Sequence, residues 1–190
     1  MTYPISDLLH VAAQRALPIM RGLPDDRLGG PTPCSDYTVG DLANHLFQVV
    51  VNFQTLAAKE PVDWAETPDF LSGGWRDRFA AETERLEKAW AAPGSEEGVS
   101  PGMGLPARRV GQMALLDLTI HAWDLARATG QAFSPAPEVL SDLEQFVEAM
   151  APTARSMGMF AEPAETAADA GEFERLLAST GRDPHWSPPA

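Results

Sequence analysis

The sequence predicts an all-α fold, namely a four-helix bundle with additional short helices and long loops. Three observations lead to this prediction. Apolar residues recur with helical spacing in several long segments. No run of alternating apolar and polar residues is long enough to suggest a substantial β-strand. Glycine- and proline-rich stretches separate the helical segments, as loops do. The length of 190 residues favours a single domain covering residues 1–190.

A first helix is predicted over residues 7–23. Ser6 can cap its N-terminus, and its leucines and alanines form an apolar stripe. Pro18 is expected to bend this helix or to end it early. His10 lies near the apolar side of the stripe, so we expect a core position for it.

A second helix over residues 39–60 has the clearest pattern in the chain. Thr38 and Asp41 have the spacing of a capping box. His45 belongs to the apolar stripe itself instead of the polar side. The stripe contains Leu42, His45, Leu46, Val49, Val50, Phe53 and Leu56.

Four more helices follow, separated by loops. They are predicted over residues 75–90, 106–129, 137–151 and 172–179. Gly130 is well placed to end the longest of them. The long loops between the helices are where ligand sites usually form.

Composition restricts the function. The net charge of −13 argues against nucleic acid as a partner and against an anionic membrane surface. Cys34 is the single cysteine, which excludes an intrachain disulfide and fits a reducing cytoplasm. The N-terminus has neither a basic region nor a long apolar run, so we predict no signal peptide, no membrane span and a cytoplasmic location. A small-molecule ligand or substrate remains open.

The fourth predicted helix contains an unusual polar pair. Asp117 and His121 are four residues apart and therefore share one helix face, among leucines and an isoleucine. His45 comes from the apolar side of another helix. Two imidazoles and a carboxylate that converge there would bind a divalent ion and leave coordination positions open, as in a catalytic site. The alternative is structural: His45 is a satisfied core histidine, and Asp117 pairs with Arg127 or His121.

Asp124 and Arg127, which follow on the same helix, also allow two interpretations. Asp124 is a candidate to orient His121 by accepting a hydrogen bond, and Arg127 to receive a ligand carboxylate. Alternatively, these two form an ordinary ion pair at a helix end. Trp123 is expected to pack in the core. Cys34 is expected to be a buried or merely neighbouring thiol instead of a nucleophile.

Three segments resemble a known family. They are "PTPCSDYTVGDLANHL", "DLTIHAWDLARATGQ" and "LLASTGRDP". Together they resemble an actinobacterial branch of the DinB-like superfamily, which is related to the metal-binding N-terminal domain of mycothiol-dependent maleylpyruvate isomerase. The resemblance spans nearly the whole chain.

The resemblance implies a four-helix bundle with a metal ion between its helices. Relatives use a histidine that matches His45 and a pair that matches Asp117 and His121. The first member of that pair is glutamate in the isomerase, so aspartate is one methylene shorter here. The implied cofactors are a divalent ion, zinc or nickel, and mycothiol as the low-molecular-weight thiol. Relatives are often dimers, which makes a homodimer an expectation.

Three functions are compatible with these residues. The first is a metal- and mycothiol-dependent transferase or isomerase that acts on a small electrophile. The second is a non-catalytic module that binds a metal or another ligand. The third is a helical scaffold with a vestigial site.

Overall fold

A computed structural model describes residues 2–189 and confirms the all-α class. Within these residues the strands are two short ones, which pair antiparallel as Val99 with Pro106 and Ser100 with Leu105. The helices are α1 (Ile5–Arg21), α2 (Val39–Ala57), α3 (Trp75–Trp90), α4 (Ala107–Thr129), α5 (Pro137–Ser156) and α6 (Glu172–Ser179). The strands are β1 (Val99–Ser100) and β2 (Leu105–Pro106).

The bundle consists of α1, α2, α3 and α4, and α5 and α6 pack beside it. One apolar core connects these helices, because each directs its apolar stripe inward. Close packing requires glycine at position 111 of α4. A Cβ there would lie 2.8 Å from Ile5 Cγ2 and 2.9 Å from Trp90 Cζ3. The small residue therefore lets α4 approach α1 and α3 closely. This close approach helps to place the polar residues of α4 inside the bundle.

The second helix begins as predicted. The Thr38 side chain accepts a hydrogen bond from the Asp41 amide, and Asp41 in turn accepts one from the Thr38 amide. This capping box fixes the helix start and with it the position of His45, two turns downstream. All other members of the predicted stripe are buried, whereas His45 is half-buried. The histidine therefore lies where the apolar stripe meets an opening.

Several predicted boundaries were wrong. Helix α1 begins at Ile5 after Pro4, so Ser6 lies inside the helix and caps nothing. Pro18 does not end α1 early, because the helix continues to Arg21. His10 is on the surface and pairs with Glu87 of α3, so its predicted core position was wrong.

Later boundaries differ less. Helix α2 ends at Ala57 instead of residue 60, shortly before Lys59, whose φ is 62°. Helix α5 extends to Ser156, beyond the predicted residue 151, because Pro152 is accommodated within it. Gly130 ends α4 as predicted, with a φ of 73°. Among residues 2–189, no helix combines the length and the apolarity needed to cross a membrane.

Candidate metal centre

Helix α4 carries three polar side chains that form a connected row. His121 lies in the middle and is 8% exposed. Its Nε2 is 3.7 Å from Asp117 Oδ1, and its Nδ1 is 3.0 Å from Asp124 Oδ2. Spacings of four and three residues produce this row, because both place side chains on the same side of a helix. The hydrogen bond to Asp124 orients the ring and leaves Nε2 on the side of Asp117.

His45 of α2 completes the pair of imidazoles. Its ring centroid is 5.2 Å from that of His121, and the two ring planes are nearly perpendicular at 83°. Burial, assisted by the neighbouring His121, lowers the pKa of His45 to about 4. His45 is therefore a neutral imidazole at neutral pH, which is the form that binds metal ions.

Asp117 is a carboxylate in an unfavourable environment. Its side chain retains 30% exposure, yet burial raises its pKa, and the nearby His121 and Arg182 only partly counteract this. No hydrogen bond compensates its charge within residues 2–189. Such a charge persists at a cost in stability, which a cation nearby would remove.

We expect Asp117→Asn to raise the free energy of unfolding of the metal-free protein at neutral pH, by about 1 kcal/mol. A carboxyl whose folded pKa is raised contributes stability below its ordinary pKa and loses it as pH rises through the folded value. The amide avoids this loss. Urea unfolding in the presence of a chelator measures the change, with the exposed Asp36→Asn as the matched control. A less stable Asp117→Asn protein would contradict the expectation.

Asp124 is fully buried and belongs to an ion pair with Arg182. The Arg182 Nε lies 3.0 and 3.1 Å from the two carboxylate oxygens, and its Nη2 lies 2.9 Å from Oδ2. Burial alone would raise the pKa of Asp124, but Arg182 and the His121 hydrogen bond more than offset this and lower it. Asp124 is thus a charged carboxylate already neutralised by a guanidinium.

Cys34 reaches the same place from the segment before α2. Its Sγ, a His121 ring nitrogen and an Asp124 oxygen all lie within 4.8 Å of one another. Burial raises the pKa of the Cys34 thiol to about 11, although Arg182 lowers it in part. The thiol is therefore protonated at neutral pH, and this is not the environment of an activated nucleophile.

The distances between the side chains and their charges indicate two different sets of metal ligands. The compact group is Cys34, His121 and Asp124, while His45 and Asp117 stand outside it. However, the Arg182 cation beside Asp124 disfavours a second cation at that carboxylate. The predicted set of His45, Asp117 and His121 is brought to one end of the bundle, and its role as a ligand set stays a prediction.

A cleft of about 370 Å³ opens beside His45. Asn44 and Gln48 of α2 hold the loop over residues 58–74 as one wall, through hydrogen bonds to the carbonyl oxygens of Pro68 and Glu66. The lining consists of Asp36, Tyr37, Asp41, Asn44, His45, Gln48, Trp64 and Thr67. A second cleft of about 400 Å³ is lined by residues including Arg108 and Asp142, and none of the candidate ligands lines it. The cleft beside His45 is therefore the one that suits a substrate.

Tyr37 is a cleft residue that sequence reasoning missed. Its ring centroid is 5.4 Å from that of His45, and burial raises the pKa of its phenol. The hydroxyl is therefore protonated at neutral pH and can donate a hydrogen bond into the cleft. The sequence offered one signal for it: Tyr37 directly precedes the capping box that begins α2, the helix that carries His45.

Arg182 was missed too, although it belongs to the segment "LLASTGRDP", one of the three that resemble the family. Arg127 was considered as the partner of Asp117 or Asp124, but it donates to the Trp186 carbonyl oxygen instead, at 3.1 and 2.6 Å. Trp123 is buried in the core, as predicted, and its ring lies edge-to-face against that of Phe173.

Comparison with known proteins identifies relatives of this chain and its family. Two uncharacterized proteins of Mycobacterium tuberculosis, one from strain CDC 1551 and one from strain H37Rv, are each 36% identical over 138 residues. The alignments cover 70% of this chain and 71% of each relative. No solved structure gives a significant match.

A family model matches residues 9–126, which is more than half of the chain and includes Cys34, His45 and the polar row of α4. That model describes the mycothiol maleylpyruvate isomerase N-terminal domain. The helical bundle, the histidine of α2 and the polar row of α4 thus belong to a chain that is a member of the mycothiol maleylpyruvate isomerase N-terminal domain family.

Proposed function

We propose that this protein is a divalent-metal- and thiol-dependent transferase or isomerase that acts on a small electrophile. The proposed ligands are His45, Asp117 and His121, and the proposed thiol is mycothiol. The observation that carries the proposal is the orientation of His121: Asp124 engages its Nδ1, while its Nε2 has Asp117 beside it, beyond hydrogen-bonding distance. A carboxylate behind a histidine is typical of metal-binding histidines.

The residues present fit a metal ion in their chemistry and in one distance. Two ligand atoms on a tetrahedral ion lie roughly 3.4 Å apart, and His121 Nε2 and Asp117 Oδ1 are 3.7 Å apart. Asp117 and His45 have no hydrogen bonds within residues 2–189 that would compete. Two imidazoles and one carboxylate suit zinc or nickel.

The chain's own residues would prepare the reaction. When bound, a divalent ion lowers the pKa of a thiol that it contacts. Tyr37 can donate a hydrogen bond to an oxygen of the substrate, because its phenol is protonated. The loop over residues 58–74 contributes Trp64 and Thr67 to the wall of the cleft in which the substrate would bind.

The charge of the cleft favours a class of substrate. Asp36 and Asp41 line it, and none of its described lining residues is a lysine or arginine. A dicarboxylate would meet like charges there without a guanidinium to receive it. We therefore propose an uncharged or cationic electrophile.

The second candidate function is a non-catalytic metal site, and Cys34 favours it. A fourth protein ligand would close the coordination sphere, as in structural zinc sites. Asp124 is engaged by Arg182, and His10 lies on the outer surface, so neither is suited to this role. The Cys34 Sγ lies within 4.8 Å of a His121 ring nitrogen, which makes Cys34 the candidate for the fourth ligand.

Metal content and thiol consumption test the proposal. The protein is purified without chelator or nickel resin, its metals are measured by elemental analysis, and mycothiol consumption is followed with neutral, cationic and dicarboxylate electrophiles. We expect bound metal, and turnover with neutral or cationic electrophiles that stops on chelation. Metal-loaded protein that never consumes thiol would contradict the enzymatic function.

Cys34→Ala separates the two candidates. An open site of His45, Asp117 and His121 keeps its metal in this variant, because Cys34 is not among its ligands. A closed site that includes the thiolate loses most of its affinity. Isothermal titration with zinc compares the variant with the wild-type protein.

A further inference from the structure

We infer that Arg182 is a positioning residue for His121, acting through Asp124. The inference rests on the proposed function, since it concerns the metal-binding state of His121. Among residues 2–189, the side chain of Arg182 donates hydrogen bonds to Asp124 and Thr180 and to none of the proposed ligands, and Arg182 is not part of the cleft lining. It lies outside residues 9–126, the part that the family model matches.

The contacts form a chain of three side chains. The guanidinium holds both oxygens of Asp124, through Nε at 3.0 and 3.1 Å and Nη2 at 2.9 Å. Asp124 Oδ2 then lies 3.0 Å from His121 Nδ1. Since the two fixed oxygens define the carboxylate plane, the side chain of Asp124 cannot rotate without breaking the fork. The acceptor for Nδ1–H therefore stays in one place.

The backbone after α6 delivers Arg182 to this position. Gly181 has a φ of 84°, which turns the chain back at the end of α6, and the Arg182 amide donates to the Leu177 carbonyl oxygen at 3.0 Å. A Cβ at position 181 would lie 2.6 Å from Ala161 Cβ and 3.0 Å from backbone atoms of that residue. The turn thus requires glycine for both its conformation and its space.

A hydroxyl adds a further restraint. Arg182 Nη1 lies 3.2 Å from Thr180 Oγ1, which itself donates to the Leu177 carbonyl oxygen at 2.7 Å. Thr180 is buried, and the side chain of Arg182 is only 11% exposed. The guanidinium is therefore held from two sides, which suits the fixing of a plane better than the mere supply of a charge.

Substitution of Arg182 by lysine separates the effect of charge from the effect of geometry. A lysine at position 182 keeps the positive charge but lacks the planar fork that grips two oxygens. Methionine retains an apolar stem and removes both properties. If Arg182 orients His121 by geometry, Arg182→Lys lies between the wild-type protein and Arg182→Met. If only the charge matters, Arg182→Lys equals the wild-type protein.

The test measures the tautomer of His121 and the metal affinity separately. Long-range ¹⁵N–¹H NMR on metal-free protein reports which ring nitrogen carries the proton, and isothermal titration with zinc reports affinity. The variants are Arg182→Met, Arg182→Lys and the control Arg127→Met. Arg127 binds the same C-terminal segment to α4, through the Trp186 carbonyl oxygen, but does not contact Asp124.

We expect wild-type His121 to carry its proton on Nδ1 and to leave Nε2 free. Arg182→Met should mix the tautomers and weaken zinc binding by about 10–100-fold, the usual effect of losing an outer partner. Arg182→Lys should weaken it less, and Arg127→Met should leave both readouts at wild-type values.

Unchanged tautomer and affinity in folded Arg182→Met overturn the inference, as does an equal effect of Arg127→Met. A wild-type affinity in Arg182→Lys overturns the geometric role as well. If Arg182→Met does not fold, Arg182→Lys decides by the same two readouts. If the wild-type protein binds neither zinc nor nickel, the proposed function fails, and the tautomer in metal-free protein still tests the action of Arg182 on His121.

Discussion

Asp124→Asn is expected to lower the free energy of unfolding by about 3–5 kcal/mol, the usual cost of removing one partner from a buried ion pair. The amide leaves the Arg182 guanidinium without its ion-pair partner, and the side chain of Arg182 is only 11% exposed. This is a large part of the stability of a typical domain. Urea unfolding at neutral pH, followed by circular dichroism, measures the loss.

The effect should depend on pH in a defined direction. The folded pKa of Asp124 lies below its ordinary value of 3.8, so its stabilising contribution is present above that value. The contribution disappears as pH falls through the lower, folded pKa. The difference between wild-type and Asp124→Asn proteins should therefore be full at pH 7 and shrink in strong acid.

Two comparisons make the result specific. Asp142→Asn is the matched control, because Arg108 keeps its second partner, Glu96, when Asp142 is neutralised. We expect a loss of about 0–1 kcal/mol there. The double variant Asp124→Asn/Arg182→Met should recover part of the loss, since no buried charge is left unpaired. Equal losses in Asp124→Asn and Asp142→Asn would contradict this account.

His121→Ala is expected to abolish stoichiometric metal binding. His121 is both a proposed ligand and the link between Asp117 and Asp124, so its loss removes a donor atom and the orienting hydrogen bond together. The decrease in affinity should exceed the roughly 10–100-fold that follows from losing an outer partner alone. Elemental analysis and zinc titration measure it.

The control is another histidine in the same protein. His10 is on the surface of α1, where its side chain is 59% exposed and pairs with Glu87. His10→Ala should therefore bind metal as the wild-type protein does. Wild-type zinc affinity in folded His121→Ala would remove the proposed metal centre, whatever the activity of the protein.

Local signals in the sequence predicted most of the helices. Helix α3 has the predicted bounds, and the capping box at Thr38 and the stop at Gly130 lie where the spacing placed them. These features depend on neighbours within four residues, so a sequence window contains the necessary information. Ser6 failed as a cap because the helix already begins at Ile5, directly after Pro4, so Ser6 is its second residue.

The site was predictable only in part, because most of its contacts link distant segments. Spacing on α4 correctly placed Asp117, His121 and Asp124 in one row. Arg182 approaches Asp124 across 58 positions of the chain, and no local pattern records such a pair. Arg127 is only three residues from Asp124 in the sequence, so it was predicted to be the ion-pair partner. That prediction was wrong, because Asp124 pairs with Arg182.

The surface position of His10 shows a similar limit. An amphipathic stripe shows which side of a helix faces the core, but its borders are uncertain by about one residue. The pattern therefore cannot decide whether a histidine at the border of the stripe is buried or exposed. Glu87, in another helix, decides the matter by pairing with the imidazole. For His45 the stripe was informative, since the residue does lie beside His121 at the edge of the core.

The long reach of Arg182 bears on how the protein can be shortened. A fragment that stopped before α6 would keep every proposed metal-binding residue and the cleft. It would lack Arg182, however, so the buried Asp124 carboxylate would have no ion-pair partner. Such a fragment should fold poorly or accumulate in inclusion bodies, even though the family-matched stretch is intact. We therefore expect a shortened form of this protein to fold only if it retains the C-terminal segment through Arg182.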